Sequence, residues 1–126
     1  MTPRFVFDTG ALVAIERRQQ SMVRIHRAAI EAGHTIVVVT PVIAEWWRKG
    51  RREKERKQLL RTFAIEPPNE HVAKLAGEAV GIVGVGVVDA LVMASASVRG
   101  DTVFTTDFDD LDRLRDVFDN VVLARV

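Results

Sequence analysis

The sequence predicts an α/β fold, a three-layer sandwich with a short, mainly parallel central sheet flanked by helices. Short runs rich in β-branched and aromatic residues, at 4–8, 35–39, 101–105 and 121–123, alternate with longer stretches whose apolar residues recur at helical spacing. Alternation of this kind builds crossover units, and crossovers set strands side by side in parallel. The length, 126 residues with 48% hydrophobic, fits one domain over 1–126 that buries about two-thirds of the surface of its unfolded chain.

Arg4 to Asp8 reads as a short buried strand and Thr9 to Arg18 as the helix after it. A second helix, about Gln20 to Ala32, places Met22, Ile25, Ala29 and Ala32 on one face, and Gly33 stops it. Thr35 to Val39 is too short and too β-branched for a helix, so it is the second strand. Pro41 opens the next helix, with Thr40 as its N-cap and Glu45 one turn in. Gly50 breaks or bends that helix before a basic one, Arg51 to Phe63. Pro67-Pro68-Asn69 ends it and caps a helix of roughly Glu70 to Val80. Gly81, Gly84 and Gly86 form a flexible connection into a helix over Val88 to Arg99. Asp101 to Thr105 is the third strand, a short helix begins near Phe108, and Val121 to Leu123 is the fourth strand.

No cysteine is present, which excludes disulfides and thiolate metal sites and agrees with a reducing cytoplasm. No apolar run approaches the roughly 20 residues that span a bilayer, so no membrane is expected. Met1-Thr2-Pro3-Arg4 leads straight into a strand-like segment, leaving no room for a signal peptide. The net charge of +1 hides a segregation: Arg48 to Arg61 holds eight basic and two acidic residues, a local +6, against −5 for the rest. A basic face beside an acidic pocket suits a polyanion held on the surface. The plain rival is a helix kept soluble by charge.

Four acids stand in apolar surroundings. Asp8 ends Phe5-Val6-Phe7, Glu45 lies in Pro41 to Trp47, Asp89 interrupts Val85 to Ala94, and Asp107 follows Val103 to Thr106. A carboxylate against a core is costly unless it is hydrogen-bonded, paired or bound to a metal. Asp8 and Asp107 each follow a strand, where open α/β sheets bind ligands. Oxygen-only ligands favour Mg²⁺ or Mn²⁺ over zinc. Singly, each has a duller reading: Asp8 or Thr9 as a helix cap, Asp107 as another, Glu45 as a first-turn residue favoured by the helix dipole. Asp89, apolar on both sides, resists such a reading best.

Phe7-Asp8-Thr9-Gly10-Ala11-Leu12, Ala44-Glu45, Val88-Asp89-Ala90-Leu91 and Thr105-Thr106-Asp107-Phe108-Asp109-Asp110-Leu111 together resemble the acidic motifs of PIN-domain nucleases. In length and order the chain is similar to VapC-type toxins of prokaryotic type II toxin–antitoxin pairs. The resemblance implies a PIN-like fold and a Mg²⁺/Mn²⁺-dependent endoribonuclease acting as a cytoplasmic toxin. It also implies an RNA substrate, a cognate antitoxin that blocks the acidic pocket, and homodimerisation. By the same resemblance Asp8, Glu45, Asp89 and Asp107 are the catalytic, metal-binding acids, and Thr105 and Asp110 match accessory polar positions. Asp109, Asp110 and Asp112 crowd the last motif, leaving open whether Asp109 or Asp110 joins or replaces Asp107. Thr9 and Thr105 are candidates to hold carboxylates in position.

Two rivals stand beside this reading: a receiver-like phosphoacceptor signalling domain, and a PIN-like RNA-binding protein without activity. The first lacks its adjacent acidic pair after the first strand and a Lys after the last. Asp8-Thr9-Gly10 matches the short aspartic-protease signature, but the helix predicted after Gly10 is foreign to that β-rich fold. His26, His34 and His71 have no ligand-like spacing, and Trp46 and Trp47 read as packing or partner contacts before base-stacking ones.

Overall fold

The computed structural model describes residues 4–47 and 52–126. Five strands, β1 (Arg4–Phe7), β2 (Thr35–Val39), β3 (Ala64–Glu66), β4 (Thr102–Thr105) and β5 (Val122–Arg125), form one sheet in the order β3-β2-β1-β4-β5. Every pairing is parallel. The helices are α1 (Thr9–Glu16), α2 (Gln20–Glu31), α3 (Thr40–Trp46), α4 (Glu53–Leu60), α5 (Glu70–Val83), α6 (Val87–Ser97) and α7 (Phe108–Leu114). The chain therefore has the α/β sandwich that the alternation predicts. Receiver domains use the strand order 2-1-3-4-5, so this topology removes that rival.

The core lies along the central strands. Val6, Phe7, Val37, Val38, Val39 and Val103 are fully buried, as a sheet covered on both faces requires. Helix α6 supplies Ala90, Val92, Met93, Ala94 and Ala96 to the same core. In α2 the predicted face holds at Met22 and Ala29, whereas Ala32 is exposed at the C-cap.

Several boundaries differ from the sequence reading. The sheet has a fifth strand, β3, whose Ala64 and Ile65 are exposed on the edge, so no buried run marks it. Thr40 does not cap α3: it is the first helical residue, Val39 is the N-cap, and no side chain caps this end. Helix α3 ends at Trp46, so Glu45 lies in its last turn, where the helix dipole opposes a negative charge. Helix α5 continues through Gly81 to Val83 and stops where Gly84 takes a left-handed φ of 75°. Of the expected basic helix, residues 53–60 are helical, while Gly50 and Arg51 lie outside the described residues. The last strand runs one residue later at its start and two at its end than expected, Val122–Arg125.

Candidate active site

Asp8 follows β1 and is 3% exposed. Its backbone is extended, so its side chain turns back over α1, where Oδ1 accepts from Ala11 N at 2.8 Å. The register that sets Phe7 beside Phe104 brings Asp8 to Thr105. The Thr105 hydroxyl donates to Asp8 Oδ2 at 2.5 Å and accepts from Asp107 N at 2.8 Å. One buried hydroxyl thus ties the ends of β1 and β4 together and aims the turn that carries Asp107. Asp8 is therefore a helix cap, and capping does not exhaust it. Burial lifts its carboxyl above the usual range, and the charge of Asp107 adds to the lift.

Asp89 enters from α6, in the first turn, half-buried on a helix whose buried residues are apolar apart from Ser95. Burial raises its carboxyl to about 6, with repulsion from Asp8, Asp107, Glu45 and Asp110 adding to the rise. Residues 107 and 110 are neighbours at the start of α7, and only the tertiary fold brings residues 8, 45 and 89 to them. Asp107 precedes α7 and makes no side-chain cap there, against the capping reading. Its carboxyl is raised by desolvation and then by Asp110, through both charge and a hydrogen bond.

Asp89, Asp107 and Asp110 each offer an oxygen, and the three oxygens lie within 4.8 Å of one another. This triplet holds no nitrogen or sulfur, a donor set for a hard cation. Asp110 enters it more tightly than an accessory position implies. The signal was in the sequence: 107 and 110 are three apart across a helix start, which puts both side chains on one face. Asp8 and Glu45 stand outside the triplet and act on Asp89 by charge. Asp109 instead lies 3.9 Å from Arg125, and Asp112 pairs with Arg115 at 3.1 Å. Glu45 is exposed, and its Oε1 accepts from the Thr9 hydroxyl at 2.6 Å, which fixes its orientation across α1 and α3.

The contrast with other sequestered acids is chemical. Asp101, 5% exposed, is paired with Arg99 at 3.0 Å, and Glu66 with Arg4 at 3.0 Å and Arg99 at 2.8 Å. Among the described residues no lysine or arginine pairs with Asp8, Asp89, Asp107 or Asp110. Gly10 allows the close approach of the two sides: a Cβ there would collide with the Thr106 hydroxyl.

Part of the basic stretch is committed to the fold. Arg56 meets Glu16 at 2.9 Å and lies over the Trp46 ring at 5.4 Å, while Arg52 donates to the Glu16 carbonyl at 2.9 Å. Trp46 is 2% exposed and its indole N–H donates to Glu16 Oε2 at 2.7 Å, so it packs as expected of a core residue. Residues 48–51 lie outside the described residues. Neither α6 nor any other described helix is long and apolar enough to cross a membrane.

No curated protein matches the chain. Among solved structures, VapBC2 from Rickettsia felis bound to a promoter DNA fragment superposes with a TM-score of 0.75 at 19% identity, covering 97% of this chain and 98% of that one. A toxin–antitoxin complex from Klebsiella pneumoniae gives 0.73 at 18% identity, over 96% and 98%. FitAcB from Neisseria gonorrhoeae gives 0.70 at 19%, over 94% and 95%. At such identities the likeness is one of fold. The sequence profile of the PIN domain matches residues 5–117, nearly the whole chain and all five clustered acids. The chain therefore belongs to the PIN-domain family.

Proposed function

We propose that the protein is a divalent-metal-dependent endoribonuclease, the toxin of a toxin–antitoxin pair, with Asp8, Glu45, Asp89 and Asp107 as its catalytic acids and Asp110 beside them. The observation that carries this reading is Asp89, whose carboxyl is raised to about 6 first by burial and then by the repulsion of the sequence-remote carboxylates gathered around it, with no lysine or arginine paired to it among the described residues. A fold that keeps such repulsion does so for a ligand that relieves it. Asp89, Asp107 and Asp110 would hold Mg²⁺ or Mn²⁺, and Asp8 would complete the site from β1. Bound there, the ion supplies charge neutralisation for the phosphate oxygens and a lowered pKa for an attacking water.

The chain's own groups set the geometry. Asp8 accepts from Ala11 N on one oxygen and from Thr105 on the other, which fixes the plane of the carboxylate and leaves each oxygen a further lone pair for the ion. Glu45, exposed and oriented by Thr9, is the acid best placed to accept a proton from the water, because it lies outside the compact triplet. The toxin role and the antitoxin partner rest on the motif resemblance and on the toxin–antitoxin complex among the structural neighbours, and a homodimer rests on the motif resemblance alone.

The test is RNA digestion by purified protein with and without Mn²⁺, followed by mapping of fragment ends. Cleavage is expected only with metal, and Asp8→Asn or Asp89→Asn is expected to lower it at least a hundredfold while the circular dichroism spectrum stays native. Full activity in either variant would refute the site. A folded, metal-loaded wild type that binds RNA but never cuts it points instead to the binding protein without activity.

A further inference from the structure

Arg125 is the last residue of β5 and pairs in register with Thr105, the last of β4. Register partners in a parallel sheet put their side chains on one face, so Arg125 leaves the sheet on the face from which Thr105 reaches Asp8. Its guanidinium carbon lies 4.4 Å from the centroid of the Phe108 ring, and Phe108 directly follows Asp107. The cation thus lies over the first residue of α7, next in the chain to Asp107.

Among the described residues Arg125 makes no hydrogen bond, and its approach to Asp109 is 3.9 Å between side chains 67% and 95% exposed. An exposed pair at that distance contributes almost nothing to stability. Stacking holds the guanidinium plane while leaving its N–H edge open, the arrangement that grips a phosphate with two parallel bonds. A pocket lined with carboxylates repels a polyanion, and a fixed cation on its rim counters that repulsion.

We propose that Arg125, propped on Phe108, binds a backbone phosphate of a single-stranded RNA adjacent to the one being cleaved. The proposal rests on the ribonuclease reading and adds to it a substrate-positioning group at the β5 end of the pocket.

The experiment measures binding of short fluorescent single-stranded RNAs by anisotropy over a salt series, in an Asp89→Asn background so that no substrate is consumed. Adding Arg125→Gln is expected to weaken binding about fivefold for oligo-A and oligo-U alike, and to reduce the slope of log affinity against log salt by about 0.7, the loss of one phosphate contact. Arg125→Lys keeps the charge and should restore the slope while recovering only part of the affinity, because a lysine neither stacks nor forks. With active protein, Arg125→Gln should raise KM and leave kcat within about twofold. Unchanged affinity and slope in a folded Arg125→Gln protein overturns the proposal, and so does a loss confined to one base type, which would mean base stacking. If the wild type neither binds nor cleaves RNA, the ribonuclease reading itself falls, a result separable from an indifferent Arg125.

Discussion

Asp8 and Thr105 form a contact in which both side chains are buried, at 3% and 0% exposure. A buried acceptor that loses its donor costs about 1–3 kcal/mol, and here Asp107 N loses its acceptor in the same change. Thr105→Val, nearly isosteric, should therefore lower the melting temperature by several degrees and reduce RNA cleavage, whereas Thr105→Ser should preserve both. Thermal unfolding with a parallel cleavage assay decides it, and a Thr105→Val protein as stable and active as its parent would show the hydroxyl to be idle. The sequence made Asp8, Asp89 and Asp107 legible, because each interrupts or ends an apolar run. Asp110 and Asp109 stood unranked beside them, although a spacing of three from Asp107 favours Asp110. In the fold α7 sets 110 beside Asp89 and Asp107 and leaves 109 beside Arg125.

Elements whose apolar pattern faces a core were readable, whereas the short edge strand β3 was not. Strand β3 is three residues long, with Ala64 and Ile65 exposed, so neither length nor alternation announced it. Gly81 was read as a break but sits on the outer side of α5, where a missing side chain meets nothing within 4 Å. Helix α4 has no buried residue, and part of its attachment is polar: Arg56 grips Glu16, which also accepts from Trp46. Desolvation alone would raise the Glu16 carboxyl, but the bonds from Arg56 and Trp46 overcome it and hold it below the usual value of 4.5. A depressed acid stabilises the fold above its unfolded pKa, and that contribution is lost as pH falls through the folded value. Glu16→Gln should thus cost about 2 kcal/mol at pH 7, the scale of hydrogen bonds to charged groups. The gap between variant and wild type should shrink as pH drops below about 4.5. Urea unfolding at pH 7 and pH 3.5 measures this, and a constant gap at both would mean that the Glu16 charge contributes nothing to docking α4.

At the scale of the whole molecule, the pocket is a built-in cost to the metal-free fold. Folding from the order β3-β2-β1-β4-β5 delivers the ends of β1 and β4 and the starts of α6 and α7 to one place, and the acids arrive with them. Because the native state raises the Asp89 carboxyl from 3.8 to about 6, it binds protons more readily than the unfolded chain, and near neutral pH the ionised side chain opposes folding. A cation that binds only the folded protein reverses this and stabilises by about 2.7 kcal/mol when present at a hundred times its Kd. Mn²⁺ at millimolar concentration should therefore raise the melting temperature of the wild type by several degrees. Asp89→Asn separates the two contributions. Without metal it should melt no lower than the wild type, since a neutral amide removes a repelled charge. With metal it should gain little, since a ligand is gone. A wild-type melting temperature indifferent to Mn²⁺, or an Asp89→Asn protein that gains as much as its parent, would show that the acids do not act as one cation site.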